Sequence, residues 1–159
     1  MRKSFAAFAF AAFVFAQPAA AVTFPSLTTI YVIAGVKDSG SGSQLGHATV
    51  IQCSNVSGAT ADIRFLLLSA DGTVIAFNTA AGVPHGGTVV RSTHNTAAYS
   101  TETFLLGAAG AALDARVLNI ESTQSGVFCT AAIIDASIAN PDGVTPHIIR
   151  INPHPGAME

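Results

Sequence analysis

Residues 60–77 of the chain read TADIRFLLLSADGTVIAF, two runs of strand-forming residues separated by an Asp-Gly pair. In the first run an apolar side chain recurs at every second position, which is the period of a β-strand with one buried face. These side chains are Ala61, Ile63, Phe65 and Leu67. Asp-Gly between two apolar runs is the strongest short-range signal of a β-hairpin. The stretch therefore predicts an antiparallel hairpin that returns through Val74 to Phe77.

Strand-like runs separated by turn residues recur along the rest of the chain, whereas no stretch after residue 21 keeps apolar residues at helical spacing between capping signals. Residues 80–87 and 107–114 contain several glycines and are predicted to be irregular. Eight or so short strands without crossover helices predict an all-β fold, an antiparallel two-sheet sandwich. Besides the hairpin, the predicted strands are 28–36, 47–56, 88–92, 101–106, 116–122, 127–136 and 147–151.

Two cysteines, Cys53 and Cys129, lie within predicted strands. An even cysteine count in an exported chain favours a disulfide. The bridge would close a loop of 76 residues, for which the chain-entropy model gives a stabilisation of about 4 kcal/mol. Two buried free thiols are the alternative. A metal site is disfavoured, because no further ligand stands at a suitable spacing from the two sulfurs.

The rhythm of short strands and the spacing of Cys53 and Cys129 resemble immunoglobulin-like sandwiches. In those domains a disulfide between the two sheets joins an early strand to a late one. The resemblance therefore implies an inter-sheet disulfide and a single domain. It concerns architecture, and it indicates no individual family, ligand or activity.

The first 21 residues, MRKSFAAFAFAAFVFAQPAAA, have the order of a secretory signal peptide: a basic tip, an apolar run, and small residues suited to cleavage after Ala21. The apolar run is about a dozen residues long, whereas roughly twenty are needed to cross a bilayer. We therefore expect a periplasmic or extracellular protein with no membrane span after cleavage. Residues 22–152 are expected to form a single β-sandwich domain, and residues 153–159 a flexible tail.

Loss of Arg2 and Lys3 with this peptide leaves five Lys/Arg against nine Asp/Glu and changes the formal charge from −2 to −4. The remaining basic residues are isolated, so binding to nucleic acid through phosphate is not expected. The expected surface carries Ser and Thr in place of Lys and Glu. Because charged side chains are a usual protection of edge strands, such a surface protects sheet edges poorly. We therefore expect some edge of the sheet to be covered, short or paired with a partner.

The ionisable and nucleophilic residues form no recognisable catalytic, cofactor or metal-binding motif. The sequence lacks a Gly-x-Ser-x-Gly nucleophile turn, and most carboxylates are ten or more residues apart. Asp38 and Asp142 are candidates for loop calcium ligands, but neither lies in an Asp-rich loop. The histidines have no ligand spacing; they are His47, His85, His94, His147 and His154.

Two further sequence patterns concern groups that the protein could present on its surface. Asn55-Val56-Ser57 matches the acceptor pattern for an N-linked glycan. Aromatic side chains can serve as stacking platforms for sugars or peptides, but strand alternation places most of them in the core. The aromatics expected in the core are Tyr31, Phe65, Phe77, Phe104 and Phe128, whereas Tyr99 is expected to be exposed.

These observations favour an exported, non-enzymatic β-sandwich module that acts by surface recognition or as an envelope component, with a protein or a glycan as its partner. No catalytic residue, cofactor or metal ligand is assigned. One alternative is a small secreted hydrolase that uses His85 or His94 with Glu102 or Asp114. Another is a fimbrial-type subunit, an incomplete sandwich completed by a neighbour's strand. The sequence does not predict the oligomeric state.

Overall fold

The computed structural model describes residues 26–140 and the backbone of residues 149–150. The predicted signal peptide (1–21) and tail (153–159) lie outside these residues, and the predicted domain (22–152) is described in part. The described strands are β1 (Thr28–Asp38), β2 (His47–Asn55), β3 (Ala61–Leu68), β4 (Val74–Val83), β5 (Thr88–Ser92), β6 (Thr103–Phe104), β7 (Leu113–Ser122), β8 (Val127–Asp135) and β9 (Ile149–Arg150). This part of the chain contains no helix long and apolar enough to cross a membrane.

The strands form one curled sheet, a half-barrel, in the order β4-β3-β7-β1-β2-β5-β6, with β8 on β2 and β9 on β1. We call β4-β3-β7-β1 the first half of the sheet and β8-β2-β5-β6 the second half. The two halves meet where Asp38 at the end of β1 pairs with Ala48 of β2. Neighbours are antiparallel except β5 and β6, which run parallel, so the sheet is mixed and the fully antiparallel prediction was wrong at this pair.

Irregularities in β1 explain how this strand pairs with β7 in the first half and also with β2 in the second half. Its pairing with β7 shifts register three times, between Thr29 and Tyr31, between Ala34 and Val36, and between Val36 and Asp38. Such bulges bend a strand and increase its twist. Gly35 has a φ of +80°, a left-handed conformation that side chains rarely adopt. The bent end of β1 thereby leaves β7 and reaches β2.

The two-sheet, immunoglobulin-like sandwich is therefore not confirmed, although the all-β class is. Cys53 and Cys129 form the predicted disulfide, but the bridge lies within the sheet and does not connect two sheets. Cys53 of β2 lies directly opposite Cys129 of β8, with 4.1 Å between the Cα atoms. Alternation in sequence divides the side chains of a strand between two faces, but it does not tell which strands are neighbours. The prediction that the disulfide joins two sheets failed for this reason.

The apolar core lies on the concave side of the half-barrel. In β3 every second residue is buried, as predicted, and in β7 Leu118 and Ile120 are fully buried. The hairpin between β3 and β4 is confirmed, with the Ser69 N–H donating to the Thr73 carbonyl at 2.8 Å. β4 continues to Val83, through part of the region expected to be a loop.

Arg91 of β5 connects the two halves across the interior. Its guanidinium carbon lies 5.6 Å from the centre of the Phe65 ring in β3. Its Nε donates to Asn78 Oδ1 of β4 at 2.7 Å, and its Nη1 donates to the Val90 carbonyl at 2.9 Å. Burial lowers the pKa of this guanidinium from its usual value. A cation held over an aromatic face thus links β5 to β3 and β4.

Candidate functional site

A buried pair of ionisable side chains, Asp38 and His94, lies where the two halves of the sheet meet. His94 Nδ1 is 2.7 Å from Asp38 Oδ2, and both side chains are 0% exposed. Asp38 Oδ1 also accepts a hydrogen bond from the Gly40 N–H at 2.7 Å. These contacts orient the imidazole by the same kind of carboxylate hydrogen bond that positions a catalytic histidine.

A glycine turn closes over this pair. Gly110 has a φ of +73°, and a Cβ atom built on it would lie 2.6 Å from Asp38 Oδ1 and 3.0 Å from the Cβ of His94. A side chain at this position would displace the pair or the turn. The fold therefore seals the pair from solvent, and the imidazole does not reach a solvent-borne substrate in this conformation.

Hydroxyl groups connect the residues that precede Asp38 and His94 in the chain, Lys37 and Thr93, to Thr49 of β2. Thr49 Oγ1 donates to the Lys37 carbonyl at 2.8 Å and accepts from the Lys37 N–H at 2.9 Å. The Thr49 N–H donates to Thr93 Oγ1 at 3.1 Å. Within the described residues, the buried side-chain atoms without a hydrogen-bond partner are His94 Nε2 and Ser92 Oγ. The cluster is a polar core that holds β1, β2 and β5 together.

The structure does not bring together the residues weighed for a hydrolase. His94 pairs with Asp38, while Glu102 accepts hydrogen bonds from the backbone N–H and the hydroxyl of Thr96. His85 is exposed, and its Nδ1 accepts from the Gly58 N–H at 3.1 Å. Asp114 is on the surface, 3.5 Å from Lys37 Nζ. Neither histidine is paired with either predicted carboxylate.

The metal-ligand candidates are likewise not assembled in the part of the chain that is described. No group of three or more His, Cys, Asp or Glu side chains there could hold an ion. Asp38, one of the two calcium candidates, is used by His94 and Gly40. The other, Asp142, lies outside the described residues, as do His147 and His154.

Asn55, the acceptor of the glycosylation pattern, is fully buried. Its Nδ2 donates to the carbonyls of Ala59 and Val83 at 2.7 and 2.8 Å. Its Oδ1 accepts from the Ser57 N–H at 3.0 Å and from the Ser57 hydroxyl. The side chain that would carry a glycan instead fixes the β2–β3 turn, so the folded protein does not present an acceptor at this position.

Two aromatic positions depart from the core prediction. Tyr31 and Phe65 are buried as expected, but Phe77 is 68% exposed and Phe128 is 52% exposed. Tyr99, expected on the surface, is half-buried, as is Phe104. Alternation divides a strand into two faces without saying which faces the core, and the prediction that Phe77 and Phe128 lie in the core is wrong.

Three of the seven large apolar side chains that are exposed in the described residues lie on β4, where Val74 is 52%, Ile75 41% and Phe77 68% exposed. The other four lie outside β4: Leu45, Val56, Phe128 and Ile138. We call the outer side of β4, with Val74, Ile75 and Phe77, the β4 edge. Strand register places Phe77 beside Leu66, and Leu66 beside Asn119 of β7. Leu66 is half-buried, so exposure of the apolar side chains increases from the middle of the first half toward the β4 edge. Single exposed apolar residues are ordinary, but an adjoining group at a sheet edge is typical of an interaction site.

Comparison of the chain with protein-family models, with curated proteins and with solved structures gives no match.

Proposed function

We propose that the protein is an exported, non-enzymatic β-sheet module that acts by binding another macromolecule through the β4 edge. The observation that carries the proposal is the group formed by Val74, Ile75 and Phe77 on a strand that pairs on one side only within the described sheet. An extended segment of a partner can add to such an edge through main-chain hydrogen bonds, while its side chains contact the exposed apolar groups. A protein partner fits this geometry better than a glycan.

The disulfide supports the exported half of the proposal. A bridge such as Cys53–Cys129 is typical of proteins that fold outside the reducing cytosol. Export would follow removal of residues 1–21, as the sequence predicts. The test is expression of the full chain in a bacterial host, followed by fractionation and mass measurement. The expected species begins at Val22 and carries the disulfide; a full-length, reduced species confined to the cytosol would contradict export.

The non-enzymatic half rests on the burial of the Asp38–His94 pair, which is the arrangement closest to catalytic geometry among the described residues. The hydrolase alternative has less support, because its histidines and carboxylates contact other groups. The fimbrial-type alternative depends on an extended donor strand. The segments weighed for that strand, 22–29 and 153–159, lie largely outside the described residues.

Site-specific photocrosslinking in the producing cells tests the binding surface. A photoreactive phenylalanine analogue replaces Phe77 in one full-length variant and Thr130 in a control variant. Thr130 is exposed on β8, in the other half of the sheet. We expect a covalent adduct from position 77 that is absent or much weaker from position 130. Equal yields from both positions, or none from position 77, would count against the β4 edge as the binding surface.

A further inference from the structure

β4 is the longest edge strand of the described sheet, and it has no charged side chain. β6, at the far end of the strand order, has two residues. β8 has nine residues and ends at the charged Asp135, and its Val127 carbonyl already accepts a hydrogen bond from the Tyr31 hydroxyl at 3.0 Å. β4 has ten residues without a charged side chain or a proline, and within the described residues it pairs with β3 alone. Short strands, covered edges, charges, prolines and bulges are the usual protection against edge pairing, and of these β4 has bulges only.

We propose that the β4 edge pairs with the same edge of a second copy of this chain, antiparallel about a two-fold axis near Phe77. The sheet would then continue through two molecules. The inference rests on the proposed function, since it names the partner that binds the β4 edge.

The sequence of β4 suits pairing with itself. An axis at Phe77 places Phe77 opposite its own copy, Ala76 opposite Asn78, and Ile75 opposite Thr79. No pair brings like charges together, because β4 has no charged residue. Directly opposed aromatic side chains stabilise antiparallel strands. The pairing therefore buries the most exposed apolar side chain of the strand against an identical one.

Two bulges limit the length of the contact. Relative to β3, β4 carries extra residues at Ile75 and at Ala81–Gly82, so its regular part is 76–80. An axis at Phe77 pairs residues 79 and 80 with the bulged end of the other copy, so regular pairing covers residues 76–78. Three residues span about 10 Å. A contact of this size falls below the roughly 1,200 Å² of a standard interface, so we expect a weak dimer that dissociates on dilution. A two-fold contact uses the same surface on both copies and closes, so it gives a dimer and not a fibre.

Analytical ultracentrifugation of the disulfide-bonded protein, from about 1 μM to about 1 mM, tests the proposal. We expect a monomer–dimer equilibrium for the natural sequence. Phe77→Lys places two like charges at the axis and is expected to raise the dimer Kd about thirtyfold or more. The matched control is Val56→Lys, at an apolar position 47% exposed beyond β2, which should leave Kd unchanged. Thr79→Lys, also exposed on β4, is a second variant in case Phe77→Lys folds poorly.

A monomer at every concentration, or equal dimerisation of the natural and Phe77→Lys proteins, overturns the proposal.

Oxidation of the Phe77→Cys variant tests the position of the two-fold axis, because Cβ atoms directly opposite one another lie about 5 Å apart. A disulfide-linked dimer is expected from Phe77→Cys and not from the control Thr130→Cys. If the photocrosslinked adduct at position 77 has twice the mass of the chain, both proposals are supported. An adduct of another mass from a chain that stays monomeric overturns self-pairing and leaves the proposed function standing.

Discussion

Strand β3 in the first half of the sheet and the end of β5 in the second half bury their residues in opposite ways. β3 buries one apolar side chain at every second position and leaves the others half-buried. At the end of β5 and in the two residues that follow it, four consecutive residues are buried, and all are polar: Arg91, Ser92, Thr93 and His94. A strand packed on one face needs a core on that face only. Consecutive buried polar residues need partners on every side, because an unpaired polar group is costly to bury.

The comparison shows two sources of stability in one sheet. The first half depends on apolar packing, as Phe65, Leu67, Leu118 and Ile120 are fully buried. The second half contributes Ile51 and Val127 to the same core and adds specific pairings: the disulfide, the hydroxyls around Thr49, and the Asp38–His94 pair at the junction. We therefore expect the loss of stability on substitution to scale with the buried volume removed in the first half. In the second half we expect it to depend on whether a single bonding partner is removed.

The largest expected loss of stability distinguishes the buried face of the first half from its exposed face. Phe65→Ala should lower the free energy of unfolding by about 4 kcal/mol, because it leaves a cavity in the core. Phe77→Ala, on the next strand but on the exposed face, should change it by less than about 0.5 kcal/mol. Urea unfolding of both variants measures the difference under monomeric conditions. Similar losses in the two variants would show that the faces are assigned incorrectly.

Replacing the disulfide tests the second half. The double variant Cys53→Ala, Cys129→Ala should lose about 4 kcal/mol of stability, because the unfolded chain regains the freedom of a 76-residue loop. The control is the natural protein unfolded with and without a reducing agent, which should reproduce the loss. A difference below about 1 kcal/mol would mean that the pairing of β2 with β8 does not need the bridge.

The junction between the halves is expected to respond somewhat less strongly. Asp38→Ala removes the acceptor of a fully buried imidazole and should cost about 2 kcal/mol. The matched control is Asp114→Ala, which removes the carboxylate from the exposed pair with Lys37 and should cost less than about 0.5 kcal/mol. Thermal or urea unfolding ranks the two variants. Equal costs would argue that the junction is not specifically stabilised by its buried pair.

The smallest effect concerns the hairpin turn of the first half. The hydroxyl of Ser69, and then the N–H and hydroxyl of Thr73, lower the pKa of the exposed Asp71 carboxyl from 3.8 to about 2. A lowered pKa stabilises the folded state above the unfolded value of 3.8, and this contribution is lost as pH falls through about 2. An NMR titration should give a midpoint near 2 for Asp71. In Asp71→Asn, the melting temperature should fall less steeply between pH 4 and pH 2 than in the natural protein; identical slopes would contradict the assignment.

Local features of the fold could be predicted from the sequence, and long-range ones could not. The Asp71-Gly72 turn and the buried faces of β3 and β7 follow from residue type and alternation. The curl depends on bulges in β1, and a bulge has no reliable sequence signal beyond a glycine such as Gly35. The disulfide was predictable because two cysteines allow one pairing, but its position within the sheet required the knowledge that β2 and β8 are neighbours.

The candidate site was less predictable for the same reason. Asp38 and His94 are 56 residues apart, and their contact depends on β1 reaching β2 and β5. His94 was considered with Glu102 and Asp114, which are closer in the sequence but contact other groups. At Asn55 a short pattern matched a modification site, whereas the side chain has a structural role in a turn. In each case the partner of a polar group is set by tertiary packing.

The pairing of β1 with β7 affects the order in which the molecule can form. Thr28 pairs with Ser122, so the first described strand has its main partner near the end of the described sheet. Pairings between positions so distant in sequence make folding slow, since the intervening chain must lose its freedom before the contact forms. A growing polypeptide of this sequence therefore cannot complete the pairing of β1 with β7 until residue 122 has been synthesised, whereas the contact of Asp38 with Ala48 and the β3–β4 hairpin can form earlier.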